Sequence, residues 1–301
     1  MEQISNIAID IKNLSKSYPG RVALSDISFS VKKGSVHGFL GPNGAGKSTT
    51  LKILSGLIRE SGGEFKVNGK IGFLPEHPPL YPNMSVQDYL QFVLEIYSHD
   101  QPNKHWVQDV MAKTGLAHVA HRLIGNLSKG YQQRVGIAQA LVHSPEIIIL
   151  DEPTVGLDPV ALADIRTLIA SLKKDHTIIF STHQLHDVEL LCSDITLINH
   201  GKIVVSGPLK TILENLKTRM IIEARVENFN ESLKGKMMNR FSLESVEISN
   251  EEKNILLKIT TNGPDGLKKE LAHFLADEAI GLLEFGEVRL DLEELFKQMI
   301  H

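Results

Sequence analysis

Residues 41–48 read GPNGAGKS and combine glycines with a lysine and a serine in one short stretch. Residues 36–40, VHGFL, predict a short strand directly before them, and apolar residues at helical spacing over 51–58 predict a helix after them. In such an order, glycines let backbone N–H groups approach phosphate oxygens, and the helix dipole adds positive potential. The spacing therefore predicts a nucleotide-binding loop, with Lys47 on the β- and γ-phosphates and Ser48 on Mg²⁺. A chance glycine-rich turn is the alternative, and the flanking elements argue against it.

Two carboxylates, Asp151 and Glu152, follow the all-apolar run 147–150. Such a run is typical of a parallel strand that is buried on both faces. The carboxyl edge of an open α/β sheet is where these sheets present their chemistry. We expect Asp151 to hold Mg²⁺ through water and Glu152 to lie where water attacks the γ-phosphate in line. Alone, Asp-Glu-Pro could simply end a strand, but the phosphate loop favours the functional interpretation.

A second turn with anion-binding character occurs in LSKGYQQRV, residues 127–135. Ser128 is predicted at a helix N-terminus, and Gly130 allows close backbone approach. One chain with one nucleotide does not need this second site. It is explained if ATP lies between two chains, with the loop of one facing the Ser128 turn of the other. An ordinary N-capped helix remains open as the alternative.

The elements that must position these residues alternate between strand and helix, which predicts an α/β sheet. Ser85 with Asp88 is typical of a capping box, and Asp158 before Pro159 predicts the start of another helix. Residues 177–180 predict a further buried strand.

The pattern changes near residue 216 and predicts a small α+β domain. Its predicted elements are strand 219–227, helix 231–240, strands 244–249 and 254–261, helix 265–277, strand 281–288 and helix 291–300. The core order βαββαβ is that of a ferredoxin-like fold.

Length, net charge and cysteine content limit the classes of protein to which this chain could belong. The chain has 301 residues, enough for about two domains, and its formal net charge of -4 gives no global basic field for nucleic acid. The single cysteine excludes an intramolecular disulfide and fits a reducing compartment. No apolar run approaches the roughly 20 residues that cross a bilayer, and the N-terminus lacks the layout of a signal peptide. A role at a membrane would therefore require a membrane partner.

Taken together and in this order, GPNGAGKST, LSKGYQQRV, IIILDEP and GLDP resemble the ATP-binding cassette (ABC) ATPases over residues 4–215. The resemblance implies a P-loop ATPase with a RecA-like core, an antiparallel β subdomain and a helical subdomain at about 80–140. We therefore predict an ATPase domain at 1–215 and an accessory domain at 216–301. The sequence is similar to gliding-motility and multidrug export ATPase subunits, and this resemblance implies ATP hydrolysis that powers a separate membrane permease, for export.

The same resemblance implies roles for single residues. Tyr18 stacks on adenine, with a strand-end core tyrosine as the alternative. Ser128 and Gly130 contact the partner chain's γ-phosphate, Asp158 couples the two sites, and His183 lies near the γ-phosphate, so that Lys47, Glu152 and His183 form the catalytic set. The predicted ATP-binding loop comprises Gly41, Pro42, Asn43, Gly44, Ala45, Gly46, Lys47, Ser48 and Thr49.

The histidines allow other interpretations. His183 and His186 have the H-x-x-H spacing of a metal pair, but no cysteine or carboxylate cluster supports one, and His186 is expected on a solvated helix. His37, His77 and the remaining histidines are expected at the surface or in loops.

This sequence departs from the family pattern at three places. Lys129 and Tyr131 replace the usual glycine and glutamine of the signature motif, a variant similar to the bacterial export branch. Glu76 stands where many members carry a glutamine, and we expect it to contact Mg²⁺ or to couple the site to the membrane partner. The segment between Val67 and Ile71 is shorter than in many relatives.

The implied partners are ATP with Mg²⁺, a second copy or a homologous ATPase subunit, and an integral-membrane permease, with no nucleic acid. The implied location is cytoplasmic, peripheral on the inner face of the cell membrane. A soluble ABC ATPase acting on ribosomes, DNA or iron–sulfur assembly is the main alternative. A regulatory module with little hydrolysis is a second, and the intact Lys47, Asp151, Glu152 and His183 argue against it. The cargo is not assigned, because the permease selects it.

Overall fold

A computed structural model describes residues 6–97, 104–217, 220–241, 243–251, 254–261, 263, 266–278 and 280–288. Its backbone contacts separate two compact units that divide between Leu209 and Lys210. The predicted helix at 291–300 lies outside the described residues.

The first unit alternates strands and helices as the periodicity predicts. In chain order it contains β1 (Ile7–Tyr18), β2 (Arg21–Lys32), β3 (Val36–Leu40), α1 (Lys47–Leu54), β4 (Gly62–Val67), β5 (Ile71–Leu74), α2 (Val86–Tyr97), α3 (Lys104–Lys113), α4 (Lys129–Leu141), β6 (Ile147–Leu150), α5 (Pro159–Leu172), β7 (Thr177–Thr182), α6 (Leu185–Leu191), β8 (Asp194–Asn199) and β9 (Lys202–Pro208). Helix α7 (Leu209–Lys217) begins at the division between the units.

A six-stranded sheet forms the centre of this unit, in the order β5-β6-β7-β3-β8-β9. Its strands pair in parallel except at the edge, where β9 runs antiparallel to β8. All residues of β6 and β3 are buried, which is why neither sequence alternates between apolar and polar residues; β6 is entirely apolar, and His37 is the one polar side chain of β3. The phosphate loop follows β3 and the two carboxylates follow β6, two strands away in the sheet. The parallel arrangement therefore brings them to one edge.

An antiparallel sheet, β2-β1-β4, packs its apolar face against α1 and the central strands. Ile9, Ile11 and Leu14 of β1 are buried in this core, as their alternation predicts. Helices α2, α3 and α4 share a second core with α5 and the other face of the central sheet. The first unit thus has the RecA-like core, antiparallel β part and helical part that the resemblance implies.

From Met220 onwards, the described residues of the second unit form a four-stranded antiparallel sheet and two helices. Its elements are β10 (Met220–Val226), α8 (Glu231–Arg240), β11 (Leu243–Asn250), β12 (Ile255–Thr261), α9 (Leu267–Asp277) and β13 (Leu282–Val288). The strand order β11-β12-β10-β13 places the first and third strands at the centre, as in a ferredoxin-like fold. Ile222, Ala224 and Val226 alternate into its core against α8 and α9.

Two expectations from the sequence are wrong. Helix α1 ends at Leu54, although the apolar spacing continues to Ile58, because Gly56 adopts φ 75 and terminates the helix. His37 is not at the surface: it lies in β3 with 1% exposure, and its Nε2 is 2.9 Å from Thr196 Oγ1. Burial lowers the pKa of His37 to about 4, so this imidazole is neutral in the folded protein.

Candidate nucleotide-binding site

The loop between β3 and α1 requires glycine for conformational and steric reasons. Gly46 caps α1 with φ 115, and a Cβ there would lie 2.9 Å from the carbonyl oxygen of Ala23. At Gly41 a Cβ would lie 2.3 Å from the carbonyl oxygen of Ile198. The glycines therefore let the loop turn tightly against its neighbours before the helix begins. The first helical residue is Lys47, so the helix N-terminus opens towards the predicted phosphate position.

Lys47 is held inside this loop. Its Nζ donates hydrogen bonds to the carbonyl oxygens of Gly41 at 2.7 Å and Pro42 at 3.2 Å. The same ammonium lies 3.2 Å from Glu152 Oε1, and the two side chains are 5% and 7% exposed. This contact is an ion pair without hydrogen-bond alignment. Opposite charges at this depth stabilise one another, and each would be costly to leave alone.

Glu152 sits on a strained turn at the carboxyl end of β6. Its φ of 49 lies in the left-handed region, which costs free energy for a residue other than glycine. Its backbone N–H donates to Ser181 Oγ at 2.9 Å, which supports the turn. Its Oε2 lies 3.0 Å from His183 Nδ1. The carboxylate is thus located between the ammonium of Lys47 and the imidazole of His183.

Asp151 is 1% exposed and accepts hydrogen bonds from two serines. Ser48 Oγ donates to its Oδ1 at 3.1 Å, and Ser181 Oγ donates to the same atom at 2.6 Å. A hydroxyl oxygen and a carboxylate oxygen in contact are hard donors of the kind that Mg²⁺ prefers. Ser48 and Asp151 therefore fit the predicted magnesium position.

One cleft of about 380 Å³ collects most of the predicted site residues. It is lined by Tyr18, Arg21, Ala23, Asn43, Gly44, Gly46, Lys47, Ser48, Thr49, Glu76, Glu152, Val155 and His183. Tyr18 is 43% exposed at the end of β1, so it is not a core tyrosine. Glu76 also lines a neighbouring cavity with Lys129 and Gln132.

The signature turn is formed but does not line the cleft of its own chain. Ser128 caps α4 and accepts a hydrogen bond from the backbone N–H of Tyr131. Gly130 is close to α5, because a Cβ there would lie 2.7 Å from Ala161 Cβ. Asp158 caps α5 and accepts from the N–H groups of Val160 and Ala161. The two helix N-termini that carry Ser128 and Asp158 therefore lie next to each other.

Comparison with known proteins assigns this arrangement to a family. A family model described as ABC transporter matches residues 24–155. The chain is 36% identical to an uncharacterised ABC transporter ATP-binding protein of Methanocaldococcus jannaschii, over 89% of this chain and 97% of that protein. The chain belongs to the ABC transporter ATP-binding proteins. This ATPase is also 31% identical to the bacitracin transport ATP-binding protein BcrA of Bacillus licheniformis, over 97% of each chain.

Solved structures agree with this assignment. The ATPase resembles a dimeric bacterial ABC transporter cassette at a TM-score of 0.62 and 26% identity, over 67% of this chain and 98% of that one. The same cassette in a post-hydrolysis state bound to ADP and Pi gives a TM-score of 0.62 and 25% identity, with the same coverage. The predicted fold and the predicted ATPase activity of a transporter subunit are confirmed. The soluble non-transport alternative is not favoured.

Sequence reasoning missed several polar residues that support the site of this ABC ATPase. Ser181 contacts both Asp151 and the backbone of Glu152, and its place two residues before His183 was the available signal. Asp187 is fully buried, accepts a hydrogen bond from Thr154 Oγ1 at 2.7 Å and pairs with Arg166.

Gln133 of helix α4 is a further supporting residue that the sequence did not reveal. Its Nε2 donates to the carbonyl oxygen of Pro153 at 3.0 Å, which connects α4 to the segment after Glu152.

The described residues contain neither a cluster of metal ligands nor a membrane span. Among them, no group of three or more His, Cys, Asp or Glu side chains could hold a metal ion. No helix in the described part of the chain is long and apolar enough to cross a membrane.

Proposed function

We propose that the cleft binds MgATP through the predicted site residues and that two copies of the chain enclose two ATP molecules. Hydrolysis then powers a separate membrane permease that exports its cargo. The observation that carries this proposal is the position of the Glu152 carboxylate, between Lys47 of the phosphate loop and His183. Adenine would stack on Tyr18, which lines the same cleft.

The residues around the phosphates have distinct tasks. The N–H groups of residues 41–46 and the N-terminus of α1 would bind phosphate oxygens, with Lys47 between the β- and γ-phosphates. Ser48 and Asp151 would hold Mg²⁺, which when bound neutralises charge that develops on the phosphates. Glu76 lines the same cleft and is the remaining candidate for contact with the cation.

Glu152 would act as the general base. The γ-phosphate competes with Glu152 for the Lys47 ammonium, and this competition releases the carboxylate towards water. The water oxygen bonds to the γ-phosphorus while the bond to the ADP oxygen breaks, and the water proton passes to Glu152. His183 contacts Glu152 Oε2 through Nδ1, which orients the carboxylate and leaves the imidazole close to the phosphate end.

Enclosure of ATP by two chains accounts for the signature turn. Ser128 and Gly130 are absent from the cleft of their own chain, yet their helix N-terminus has the features of an anion site. In a head-to-tail pair this turn would face the γ-phosphate in the other copy. Asp158, which begins the adjacent helix, would carry the state of one site to the other. The dimeric cassette among the structural relatives supports this arrangement.

The permease would dock on the helical part of the first unit, at about 80–140. Glu76 supports this proposal because it lines both the nucleotide cleft and a neighbouring cavity bordered by Pro78, Leu80 and Pro82. Movement of Glu76 with the γ-phosphate or Mg²⁺ would therefore reach that segment. The ATPase would then lie on the cytoplasmic face of the membrane through its permease. Named relatives serve bacitracin and lantibiotic transport and linearmycin resistance, which favours the export branch.

The accessory domain, proposed at 216–301, would stabilise or regulate the dimer. The two compact units divide between Leu209 and Lys210, six residues before the proposed boundary, and α7 spans both positions. A truncation after residue 215 tests this role, because intact coupled turnover in the shortened chain would count against it.

The transport proposal is tested by purification of tagged Glu152→Gln protein from detergent-solubilised membranes in the presence of MgATP. We expect a polytopic membrane protein to co-purify with a dimer of the ATPase, and Ser128→Arg in the same background to lose the dimer. A soluble assembly without a membrane protein would contradict the transport proposal. An unchanged dimer in the Ser128→Arg variant would contradict the proposed enclosure of ATP.

A further inference from the structure

Tyr18 and Arg21 are presented together by a tight hairpin. They are paired residues at the ends of β1 and β2, joined by Pro19 and by Gly20 with φ 77. Both side chains line the nucleotide cleft. Because only two residues separate them, the proposed adenine platform and a guanidinium enter the cleft from the same turn.

Arg21 also contacts the phosphate loop. Its Nη2 donates a hydrogen bond to the carbonyl oxygen of Gly44 at 2.9 Å. A Cβ on Gly44 would lie 3.4 Å from this nitrogen, so the guanidinium lies against the loop itself. A guanidinium is planar and carries several N–H donors, so one bond to Gly44 leaves others free for a phosphate oxygen.

The charge of Arg21 has no carboxylate partner among the described residues. Its contact with Gly44 is to a neutral carbonyl, so the positive charge is not compensated there. By contrast, Lys47 is already paired with Glu152 in the same cleft. A cation that lines a phosphate-binding cleft without a counter-ion attracts anions. A guanidinium binds an oxyanion most strongly when two of its N–H groups donate to the oxyanion's oxygens in parallel.

The position of Arg21 determines which part of the nucleotide it meets. The nucleoside would lie on Tyr18, and the outer phosphates would lie at Lys47. Arg21 is paired with Tyr18 in the hairpin and bonded to the loop at Gly44, so we expect the ribose and the first phosphate to lie close to it. Lys16 holds the Tyr18 ring from outside the cleft: its Nζ is 5.1 Å from the ring centroid and donates to the carbonyl oxygen of Arg59 at 2.6 Å.

We propose that Arg21 is a nucleotide-binding residue that contacts the α-phosphate of ATP while it anchors the Tyr18 hairpin to the phosphate loop. This inference rests on the proposed placement of ATP in the cleft. It assigns the α-phosphate contact to the hairpin, in addition to the loop and helix that bind the outer phosphates. The guanidinium would thereby set the distance between the adenine platform and the loop.

The test is the binding of ATP and ADP to the full-length chain by titration calorimetry. Arg21→Met should weaken both nucleotides by about tenfold or more, because both carry the α-phosphate and a charge-assisted hydrogen bond is lost. Arg21→Lys should recover part of this loss, since it restores the charge without the planar fork. The salt dependence of ATP binding should become shallower in Arg21→Met, an effect that a purely structural role would not produce.

Arg122→Met is the matched control, because Arg122 is another exposed arginine that donates to a backbone carbonyl, outside the cleft. It should bind ATP like the wild type. The Arg21 inference is overturned if Arg21→Met binds both nucleotides like the control, or if its losses keep the wild-type salt dependence. Lys47→Met distinguishes a failure of the Arg21 contact from a failure of the proposed ATP site. If only Lys47→Met loses affinity, the cleft is the site without Arg21; if neither variant does, the proposed site itself is wrong.

Discussion

Ion pairs from the two units of this ABC ATPase differ sharply in their exposure to solvent. In the cleft of the first unit, Lys47 and Glu152 form an ion pair with 5% and 7% exposure. In the second unit, Arg225 lies between Glu251 and Glu284 on a solvated sheet face, with these side chains 39%, 40% and 66% exposed. Burying an ion pair costs desolvation free energy, so a buried pair is weak evidence for a gain in stability. An exposed pair loses little hydration and contributes little to the free energy of unfolding. We therefore infer that the buried pair is retained for the proposed chemistry of the cleft, and we expect the exposed pairs to contribute little to stability.

The largest effect should come from removal of the charge on Glu152. We expect Glu152→Gln to lower the kcat of ATP hydrolysis about a thousandfold, because a positioned general base is lost. The steady-state release of phosphate by purified protein measures this effect. Glu284→Gln neutralises the exposed carboxylate in the second unit and should keep wild-type turnover. If the two variants hydrolyse ATP at comparable rates, Glu152 is not the general base and the buried pair has no catalytic role that the exposed pairs lack.

Breaking the buried pair from its other side should reduce stability. Lys47→Met leaves Glu152 buried without its cation, and we expect the free energy of unfolding of the nucleotide-free protein to fall by about 3–5 kcal/mol. Urea titration followed by tryptophan fluorescence and circular dichroism measures it. The double variant Lys47→Met/Glu152→Gln should recover most of the loss, because no uncompensated charge remains. A double variant as unstable as the single one would show that the loss arises from packing.

His37 provides a pH-dependent test of the buried region. Its pKa is lowered from 6.5 to about 4, first by burial and to a smaller extent by Lys32, while Asp194 acts in the opposite direction. The unfolded chain therefore takes up a proton that the folded chain resists, and stability present above pH 6.5 is lost as pH falls towards 4. The complete loss corresponds to about 3 kcal/mol in the free energy of unfolding.

Urea titrations at several pH values through this window measure the effect. His37→Asn should show a flatter dependence than the wild type, because it removes the titrating group while it retains a hydrogen-bonding side chain towards Thr196. Parallel pH dependences for the two proteins would exclude His37 as the source.

The smallest effect is expected at the exposed pairs. Arg225→Gln should leave the melting temperature and the ATPase rate unchanged within measurement, because solvent screens its contacts with Glu251 and Glu284. Differential scanning calorimetry of the full chain measures it. A clear loss of stability would show that these surface pairs are worth more than their exposure indicates.

Much of the molecule could be predicted from local patterns. The buried strand before Asp151, the helix that begins at Asp158 and Pro159, and the βαββαβ order of the second unit each depend on residues that are close in sequence. The length of α1 was overestimated because apolar spacing alone does not show that Gly56 adopts a left-handed conformation and ends the helix. His37 was misassigned because a single polar residue in a short strand gives no sign of which face is covered, or of the partner Thr196.

By itself, the sequence determined the family and the glycine-rich loop between strand and helix, and it predicted the chemistry of the loop residues, because glycine spacing and residue type act over a few neighbouring positions. Only the tertiary structure decided that Lys47 is paired with Glu152, that Ser181 supports both carboxylates, and that Arg21 reaches the carbonyl oxygen of Gly44. These contacts join residues from separate strands and loops. Their geometry depends on the order of strands in the sheet and on which groups are withdrawn from water, and neither is encoded in a short stretch of chain.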